Sequence, residues 1–340
     1  MTQDINRQWR LAARPVGMMK EGDLEWYEGP LPEPEAGQVR VRTVYLSLDP
    51  TNRSWVRKRE TYLPPVDIGD VMRGITIGVV DKSRSDVFSE GDVVQGMWGW
   101  QDYAVVSPDD LTPVPMEYDV PLSAHFGLFG HIGLSAYFGL LEIGELKEDE
   151  TLVVSAAAGA VGSLAGQIGK IMGCRVVGIA GSDEKCRWLT GELGFDEAIN
   201  YKTEMVMRRL ARTCPDGVDV YFDNVGGDIL DAVLHHINNY ARIVLCGMIS
   251  VYNAKQPVPG PYNFNNILIH RARVQGFIVL DYLDRASEAM DHLATWYREG
   301  RIQYRTDIVD GLQNASSALN RLFTGANKGK LIVRVSDEPV

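Results

Sequence analysis

The sequence has few of the residues from which metal centres are built. Its four cysteines, Cys174, Cys186, Cys214 and Cys246, form no C-x-x-C pair, and its six histidines show neither H-x-x-x-H nor H-E-x-x-H spacing. Structural and catalytic zinc sites rely on such spacings. The pattern therefore predicts no metal, and scattered cysteines suit a reducing, cytoplasmic compartment.

Positive charge is also scarce. The chain has 34 Lys and Arg against 45 Asp and Glu, which gives a net charge of −11 and a pI near 5.1. An acidic chain without a basic cluster is a poor partner for nucleic acid or for an anionic membrane. The N-terminal residues lack the apolar core of a signal peptide, and no Gly-x-Ser-x-Gly elbow supports a hydrolase. We expect a soluble protein with a small-molecule partner and neither a nucleic acid nor a membrane partner.

The strongest positive signal lies in residues 151–185. Residues 152–154 are a short apolar run of the kind that a parallel sheet buries on both faces. A turn rich in glycine and alanine follows at 157–162, a helical spacing at 163–172, and a second buried run at 175–180. This order predicts one βαβ unit of a dinucleotide-binding fold.

The glycines of this turn have separate roles in such a fold. Gly159 lets the backbone come close to a pyrophosphate, and Gly162 lets the helix pack tightly on the strand. The phosphates then face the first N–H groups of the helix, where the dipole favours anions. Ala157 replaces the first glycine of G-x-G-x-x-G, so the motif depends on the strands and helix around it.

The residues after the second strand favour NADP(H). No acid stands at the strand tip, where NAD-binding folds hold the ribose 2′-OH, and Lys185 suits a 2′-phosphate. Asp183 and Glu184 are the contrary observation, and we interpret them as first-turn helix acids behind an N-cap at Ser182. The alternative for Lys185 is a solvated helix lysine.

The remaining pattern predicts two domains. Val39, Val41, Thr43 and Tyr45 alternate as in a strand with one covered face, within a β-rich, barrel-like region. From 125 onward the chain alternates strands and helices. The strands are expected at 197–201, 218–222, 242–246 and 274–280, an amphipathic helix at 286–298, and two strands of the first domain at 302–309 and 331–335. We place one domain at 1–124 with 299–340 and the other at 125–298.

Several segments recur together in one known family. They are Ala158–Ser163, Gly181–Lys185, Asn200–Lys202, Tyr221–Gly227, Cys246–Asn253 and Asn327–Lys330. In this order they resemble the zinc-independent medium-chain dehydrogenase/reductases of the prostaglandin reductase, leukotriene B4 12-hydroxydehydrogenase and alkenal double-bond reductase group. The resemblance implies an α/β protein with a GroES-like β-barrel domain and a doubly wound Rossmann sheet, usually a homodimer. It also implies NADPH-dependent reduction of the C=C bond of α,β-unsaturated ketones or aldehydes.

The resemblance also implies site residues, position by position. Those expected to hold the cofactor are Ala160, Val161, Gly162, Ser163, Lys185, Tyr201, Asn224, Cys246, Gly247, Met248, Ile249, Ser250, Tyr252, Phe277, Ile278, Val279 and Asn327. Those expected to contact substrate are Met97, Trp98, Ile278, Val279 and Leu280. Tyr252 matches the tyrosine whose hydroxyl can bond the substrate carbonyl.

In the implied reaction, hydride reaches the β-carbon and negative charge builds on the carbonyl oxygen. A neutral phenol at Tyr252 and the cofactor ribose hydroxyl are the expected donors, and water protonates the α-carbon. Two alternatives stay open: a quinone oxidoreductase on the same fold, and a protein that binds NADPH without turnover. The alternative for Tyr252 is a loop tyrosine that packs on the barrel domain and takes no part in the reaction. The chain departs from the family at Thr51–Arg53 and at Gly130–Gly133, which leaves the substrate and the role of His131 open.

Overall fold

The computed structural model describes residues 5–59, 61–118 and 120–339. Its contacts divide the chain into two compact units. The first holds Met1–Ser123, Thr306–Asn327 and Leu331–Val340, and the second holds Ala124–Arg305 and Lys328–Lys330. Residues 299–305 and 328–330 thus group with the second unit, whereas the sequence-based division, which stays a prediction, places them in the first domain.

Strands and helices fill both units. The strands are β1 Ile5–Leu11, β2 Leu24–Pro30, β3 Val39–Ser47, β4 Thr76–Ser83, β5 Val93–Gly96, β6 Tyr103–Val106, β7 Thr112–Pro113, β8 Thr151–Ser155, β9 Arg175–Ala180, β10 Glu197–Asn200, β11 Val218–Asp223, β12 Ile237–Leu245, β13 Arg273–Gly276, β14 Thr306–Asp310 and β15 Lys330–Arg334. The α-helices are α1 Pro50–Trp55, α2 Ala124–Gly127, α3 His131–Phe138, α4 Ala160–Ile171, α5 Asp183–Gly191, α6 Val206–Thr213, α7 Gly227–Leu234, α8 Asn265–Ile269, α9 Ala286–Arg298 and α10 Ala315–Thr324. A π-helical turn occupies Gly139–Ile143. Short 3₁₀ turns occupy Pro108–Asp110, Met116–Tyr118, Ile249–Val251, Tyr262–Phe264, Val279–Arg285 and Leu312–Asn314.

The first unit is built on a sheet of seven strands, in the order β14-β15-β3-β4-β5-β7, with β6 also paired to β3. The pairings of β3 with β4, β6 and β15 are antiparallel. A separate hairpin joins β1 to β2. This is the barrel-like domain that the sequence predicts, and the two strands near the chain end join it.

Strand β3 differs from its prediction. The alternation predicts one covered face, but every side chain of Val39–Ser47 except Arg42 is buried. The reason is that side chains of β3 contribute to two buried clusters, Val39 and Val41 to one and Leu46 to the other. The buried guanidinium of Arg40 is satisfied there by the Asp81 carboxylate, 3.0 Å away.

The second unit is a six-stranded sheet in the order β10-β9-β8-β11-β12-β13. The pairings are parallel, as a doubly wound sheet requires. All five residues of β8 are buried. The strand order reverses between β8 and β11, and ligands of such folds bind beyond the carboxyl ends of the strands at this reversal. The Rossmann prediction is confirmed.

Several predicted boundaries move. Helix α4 begins at Ala160 rather than Ser163, so the end of the predicted turn forms the first helical turn. The sixth strand ends at Gly276, and the expected extension to Leu280 is wrong because a 3₁₀ turn starts at Val279. Helix α9 has the predicted bounds.

Helical residues from Ala124 to Ile143 form a long apolar segment of the second unit. By length and composition this segment is a candidate membrane span, but 78% of its apolar window is buried inside the structure. Buried core helices of soluble proteins share that composition. The segment is interrupted between Gly127 and His131 and ends in the π-turn.

Candidate active site

The turn after β8 is shaped to receive a pyrophosphate. Ala156 has a positive φ of 46°, and Gly159 caps α4 with an extended backbone. The amides of Ala160, Val161 and Gly162 lie in the first helical turn, where N–H groups have no acceptor within the helix. A Cβ on Gly162 would lie 2.4 Å from the Ala156 carbonyl oxygen, so only glycine allows this close packing.

Ser163 closes this turn rather than projecting from it. Its hydroxyl donates to the Ala160 carbonyl at 3.1 Å, and its amide donates to the Gly159 carbonyl at 3.0 Å. Gly159 also forms a parallel bridge with Gly329, a residue of the same unit. The Gly329 segment therefore borders the phosphate turn.

Lys185 and Tyr201, predicted to contact a 2′-phosphate, lie at the end of β9. Ser182 caps α5 by accepting from the Lys185 amide at 3.2 Å, which confirms the N-cap prediction. The Tyr201 ring lies against Gly181, where a Cβ would be 3.0 Å from the ring.

The two acidic residues that favoured NAD over NADP, Asp183 and Glu184, are bonded to other side chains of the protein. Asp183 accepts from the Asn200 amide at 2.7 Å, and Glu184 pairs with Lys328 at 2.5 Å. That pairing lowers the pKa of Glu184, chiefly through the hydrogen bond from Lys328. The carboxylates are thus engaged by side chains of the protein.

A pocket at this position contains two cations that sequence reasoning missed. It is lined by Ala158, Glu184, Lys185, Trp188, Arg305, Lys328 and Gly329, all in the second unit. The Arg305 guanidinium lies 5.6 Å from the centre of the Trp188 ring. Lys328 belongs to the Asn327–Lys330 motif, which was the only signal for it. Arg305 belongs to no sequence motif, because only the folded chain brings residue 305 close to this turn.

A buried carboxylate organises the next strand end. One oxygen of Asp223, Oδ1, accepts four hydrogen bonds, from the hydroxyls of Ser155 and Tyr221 and the amides of Val225 and Gly226, at 2.7–2.9 Å. Its other oxygen, Oδ2, is buried and has no partner among the described residues. Burial raises the pKa of Asp223, while the four donors oppose that shift. The Asp223 side chain thus ties the turn that follows β11 to β8 and β11.

Asn224 is fixed by the same network. Its backbone amide donates to the Ser155 hydroxyl at 2.8 Å, and its side-chain amide donates to the Ser155 carbonyl at 2.8 Å. Asn224 therefore lies at the sheet reversal between β8 and β11, and its contact with the ribose stays a prediction.

The loop after β12 is bound to this turn. The amides of Cys246 and Gly247 donate to the Asp223 carbonyl at 2.9 and 3.0 Å. Ile249 and Ser250 bond the carbonyls of Asn224 and Val225 at 3.2 Å. Burial raises the pKa of the Cys246 thiol to about 12, with Asp223 adding to the shift, so the thiol is neutral at physiological pH.

Tyr252 folds back over its own loop. Its hydroxyl oxygen accepts the Met248 amide at 3.1 Å. A phenol has one O–H donor in addition to its acceptor lone pairs. The geometry is compatible with the predicted role of Tyr252 as a donor to a carbonyl oxygen.

Residues 277–280 leave the sheet at its carboxyl edge. Phe277, Ile278 and Val279 are half-buried, and Leu280 is 41% exposed. Because the strand stops at Gly276, the backbone of these residues is not part of the ladder with β12. Their contact with the nicotinamide, and the substrate role of Ile278, Val279 and Leu280, stay predictions.

The predicted residues of the first unit have different surroundings. Met97 is 40% exposed, whereas Trp98 is buried with Val39 and Val41, and its indole N–H donates to Thr43 at 2.8 Å. Asn327 is also buried. The substrate role of Met97 and Trp98 and the cofactor role of Asn327 stay predictions.

His131 begins α3 and its backbone carbonyl accepts from the Ser135 hydroxyl at 2.6 Å. Within residues 5–59, 61–118 and 120–339, no group of three or more His, Cys, Asp or Glu side chains is placed to hold a metal ion.

Comparison with known proteins gives consistent relatives over nearly the whole chain. The family described as N-terminal domain of oxidoreductase matches residues 7–114, and that described as zinc-binding dehydrogenase matches residues 160–295. The NADPH-dependent curcumin reductase of Escherichia coli (strain K12) is 45% identical over 338 residues, covering 98% of each chain. The NADP(+)-dependent 2-alkenal reductase of Nicotiana tabacum is 41% identical over 344 residues, covering 99% of this chain and 100% of that one. The crystal structure of CurA from Vibrio vulnificus in complex with NADPH is 42% identical with a TM-score of 0.93, covering 98% and 100%.

Proposed function

Because the chain belongs to the zinc-independent medium-chain dehydrogenase/reductases of the alkenal and prostaglandin reductase group, we propose that it reduces the C=C bond of α,β-unsaturated ketones or aldehydes with NADPH. The observation that carries this proposal is the arrangement at the sheet reversal. Asp223 holds both the Asn224 turn and the loop that carries Tyr252. A cofactor ribose and a phenol donor then have one common support.

The residues of the second unit fit a bound NADPH. The first-turn amides of α4 offer donors to the pyrophosphate, and the helix dipole adds favourable charge there. Lys185 and Tyr201 lie where the adenosine 2′-phosphate is expected. We add Arg305 and Lys328 to this group, because both line the pocket with Lys185 and a phosphate dianion favours several cations.

The bound cofactor supplies a hydride equivalent from its nicotinamide to the substrate β-carbon. The π electrons of the C=C bond move toward the carbonyl, whose oxygen gains negative charge as an enolate. Tyr252 donates its phenolic proton in a hydrogen bond to that oxygen, with the ribose hydroxyl as second donor. Water then protonates the α-carbon, and the saturated carbonyl product results.

Steady-state assays with a panel of enones, enals and quinones test this function. We expect NADPH oxidation with enones and enals. Preferential turnover of quinones would favour a quinone oxidoreductase on the same fold. Tight NADPH binding without turnover of any panel member would favour a non-catalytic binding protein.

We also propose a homodimer that forms at β13. This edge strand has four exposed residues, Arg273–Gly276, and its free side is open to pairing with a second copy. Large apolar side chains near it are exposed, including Leu268 at 76% and Ile269 at 52%.

All four cysteines are free thiols, which suits the reducing cytoplasm that we propose as the compartment.

A further inference from the structure

The π-turn Gly139–Ile143 is an uncommon element in a distinctive place. It follows α3 without a break, and the Gly144 amide donates to the Gly139 carbonyl at 2.9 Å, the five-residue spacing of a π-helix. Such turns are rare and recur at functional sites, because they change the direction of side chains within a helix. This one lies beneath the segment that leaves β13.

Gly139 is the contact point between the π-turn and two phenyl rings. A Cβ at this position would lie 2.7 Å from the Phe222 ring and 2.8 Å from the Phe277 ring. Phe222 is fully buried in β11, directly before Asp223, and Phe277 directly follows β13. The absence of a side chain at residue 139 therefore lets the Phe277 ring sit on the helix backbone.

Further contacts hold the same segment from its other side. The Tyr282 ring stacks on Phe138 with centroids 4.9 Å apart and meets the Phe277 ring edge-on at 6.4 Å. Arg285 lies 5.4 Å from the Phe138 ring and pairs with Glu142, a residue of the π-turn, at 2.6 Å. Phe277 and Tyr282 are thus anchored on consecutive residues of one helix, Phe138 and Gly139.

We propose that the π-turn is a seat, meaning a contact surface for the Phe277 ring. This seat positions the Phe277–Val279 main chain, and through it the nicotinamide ring. This rests on the proposed function, in which that main chain borders the nicotinamide. Gly139 and Tyr282 act through Phe277 and are positioning residues. Small displacements of reacting groups lower rates strongly, up to roughly a hundredfold for about 1 Å. The adenosine phosphates are bound by other elements, so displacement of the seat affects turnover more than affinity.

Gly139→Ala tests the seat directly, because the added methyl group must displace one of the two rings. We expect kcat to fall about tenfold or more, with the Kd for NADPH within about twofold of wild type. The fluorescence of the bound nicotinamide should also change, since its ring no longer has the same contacts. Gly260→Ala is the matched control, because a Cβ there has no atom within 4 Å, and it should leave all three readouts unchanged.

Tyr282→Leu provides a second variant if Gly139→Ala does not fold. It removes the half-buried ring that holds Phe277 from outside, and we expect the same loss of kcat without loss of affinity. Tyr282→Phe keeps the ring and should restore turnover. Retention of wild-type kcat in Tyr282→Leu, or a parallel loss of kcat and affinity in both variants, would overturn the proposal. If the wild type reduces no enone or enal, the proposed function fails, while nicotinamide fluorescence still tests the seat.

Discussion

Removal of one oxygen atom, in Tyr252→Phe, separates the catalytic role of this residue from a packing role. The ring stays in place, and the substitution removes the hydrogen bond that the hydroxyl oxygen accepts from the Met248 amide. Met248 is 37% exposed, so water replaces that acceptor at small cost. The loop itself is still tied to Asp223 and Asn224 by backbone bonds. We therefore expect the fold and the affinity for NADPH to be retained.

The expected effect on turnover follows from the loss of one of two donors to the enolate oxygen. Loss of a single donor to a developing oxyanion costs about 2.7–4 kcal/mol where it has been measured in an enclosed site. Since the ribose hydroxyl remains as a donor, we expect a smaller effect than that, a fall in kcat of about tenfold or more, which corresponds to about 1.4 kcal/mol or more. The assay is steady-state NADPH oxidation with an enone, beside an NADPH titration. Tyr240→Phe, a tyrosine that is 66% exposed, is the matched control. Unchanged kcat in Tyr252→Phe would remove this hydroxyl from the mechanism.

Four further predictions concern the cofactor site, the buried network, the thiols and the sheet edge. Lys185→Ala should raise the Kd for NADPH about tenfold and that for NADH much less, whereas equal effects in titrations would contradict the 2′-phosphate assignment. Asp223→Asn keeps the accepting oxygen but buries an amide where Oδ2 has no described partner, so chemical denaturation should show a loss of about 1–3 kcal/mol; an unchanged midpoint would refute this. Burial raises the pKa of Cys174, Cys186 and Cys214 to about 11 and that of Cys246 to about 12, so at pH 8 thiol reagents should modify the native protein at least about a hundredfold more slowly than a free cysteine. Val274→Asp in β13 should yield monomers in light scattering, and a persistent dimer would place the interface elsewhere.

Local signals in the sequence predict local structure well. Ser182 caps α5 because its hydroxyl needs only the neighbouring Lys185 amide. Strand β9 has its predicted bounds because five consecutive apolar or small residues follow Arg175 and specify a buried strand. The order of strand, glycine turn, helix and strand requires no distant residue. These features therefore fix the Rossmann unit and its phosphate turn from sequence.

Features that depend on distant partners could not be predicted in the same way. Strand β3 reads as half-exposed because Arg40 and Arg42 alternate with apolar residues. Burial of Arg40 is acceptable because its guanidinium pairs with the carboxylates of Asp81 and Glu33. The sixth strand reads through Phe277–Leu280 because those residues have high strand propensity. They leave the sheet because Tyr282 stacks on Phe138 and because the missing side chain at Gly139 leaves room for the Phe277 ring. Neither of these contacts has a sequence signature.

The Asp223 network explains why the reactive end of the site is coupled to the core of the sheet. The Asp223 carboxylate accepts hydrogen bonds from Ser155 on β8 and from Tyr221 on β11. The Asp223 backbone carbonyl accepts hydrogen bonds from the first two amides of the Tyr252 loop. A change at Tyr221, which is fully buried, therefore acts on the position of Asn224 and Tyr252 together. The Gly139 seat acts on Phe277 through a different set of contacts. In the proposed site, one support holds the ribose and Tyr252 and the other positions the nicotinamide, and we expect a substitution in one support to affect the other less than the part of the cofactor that it holds.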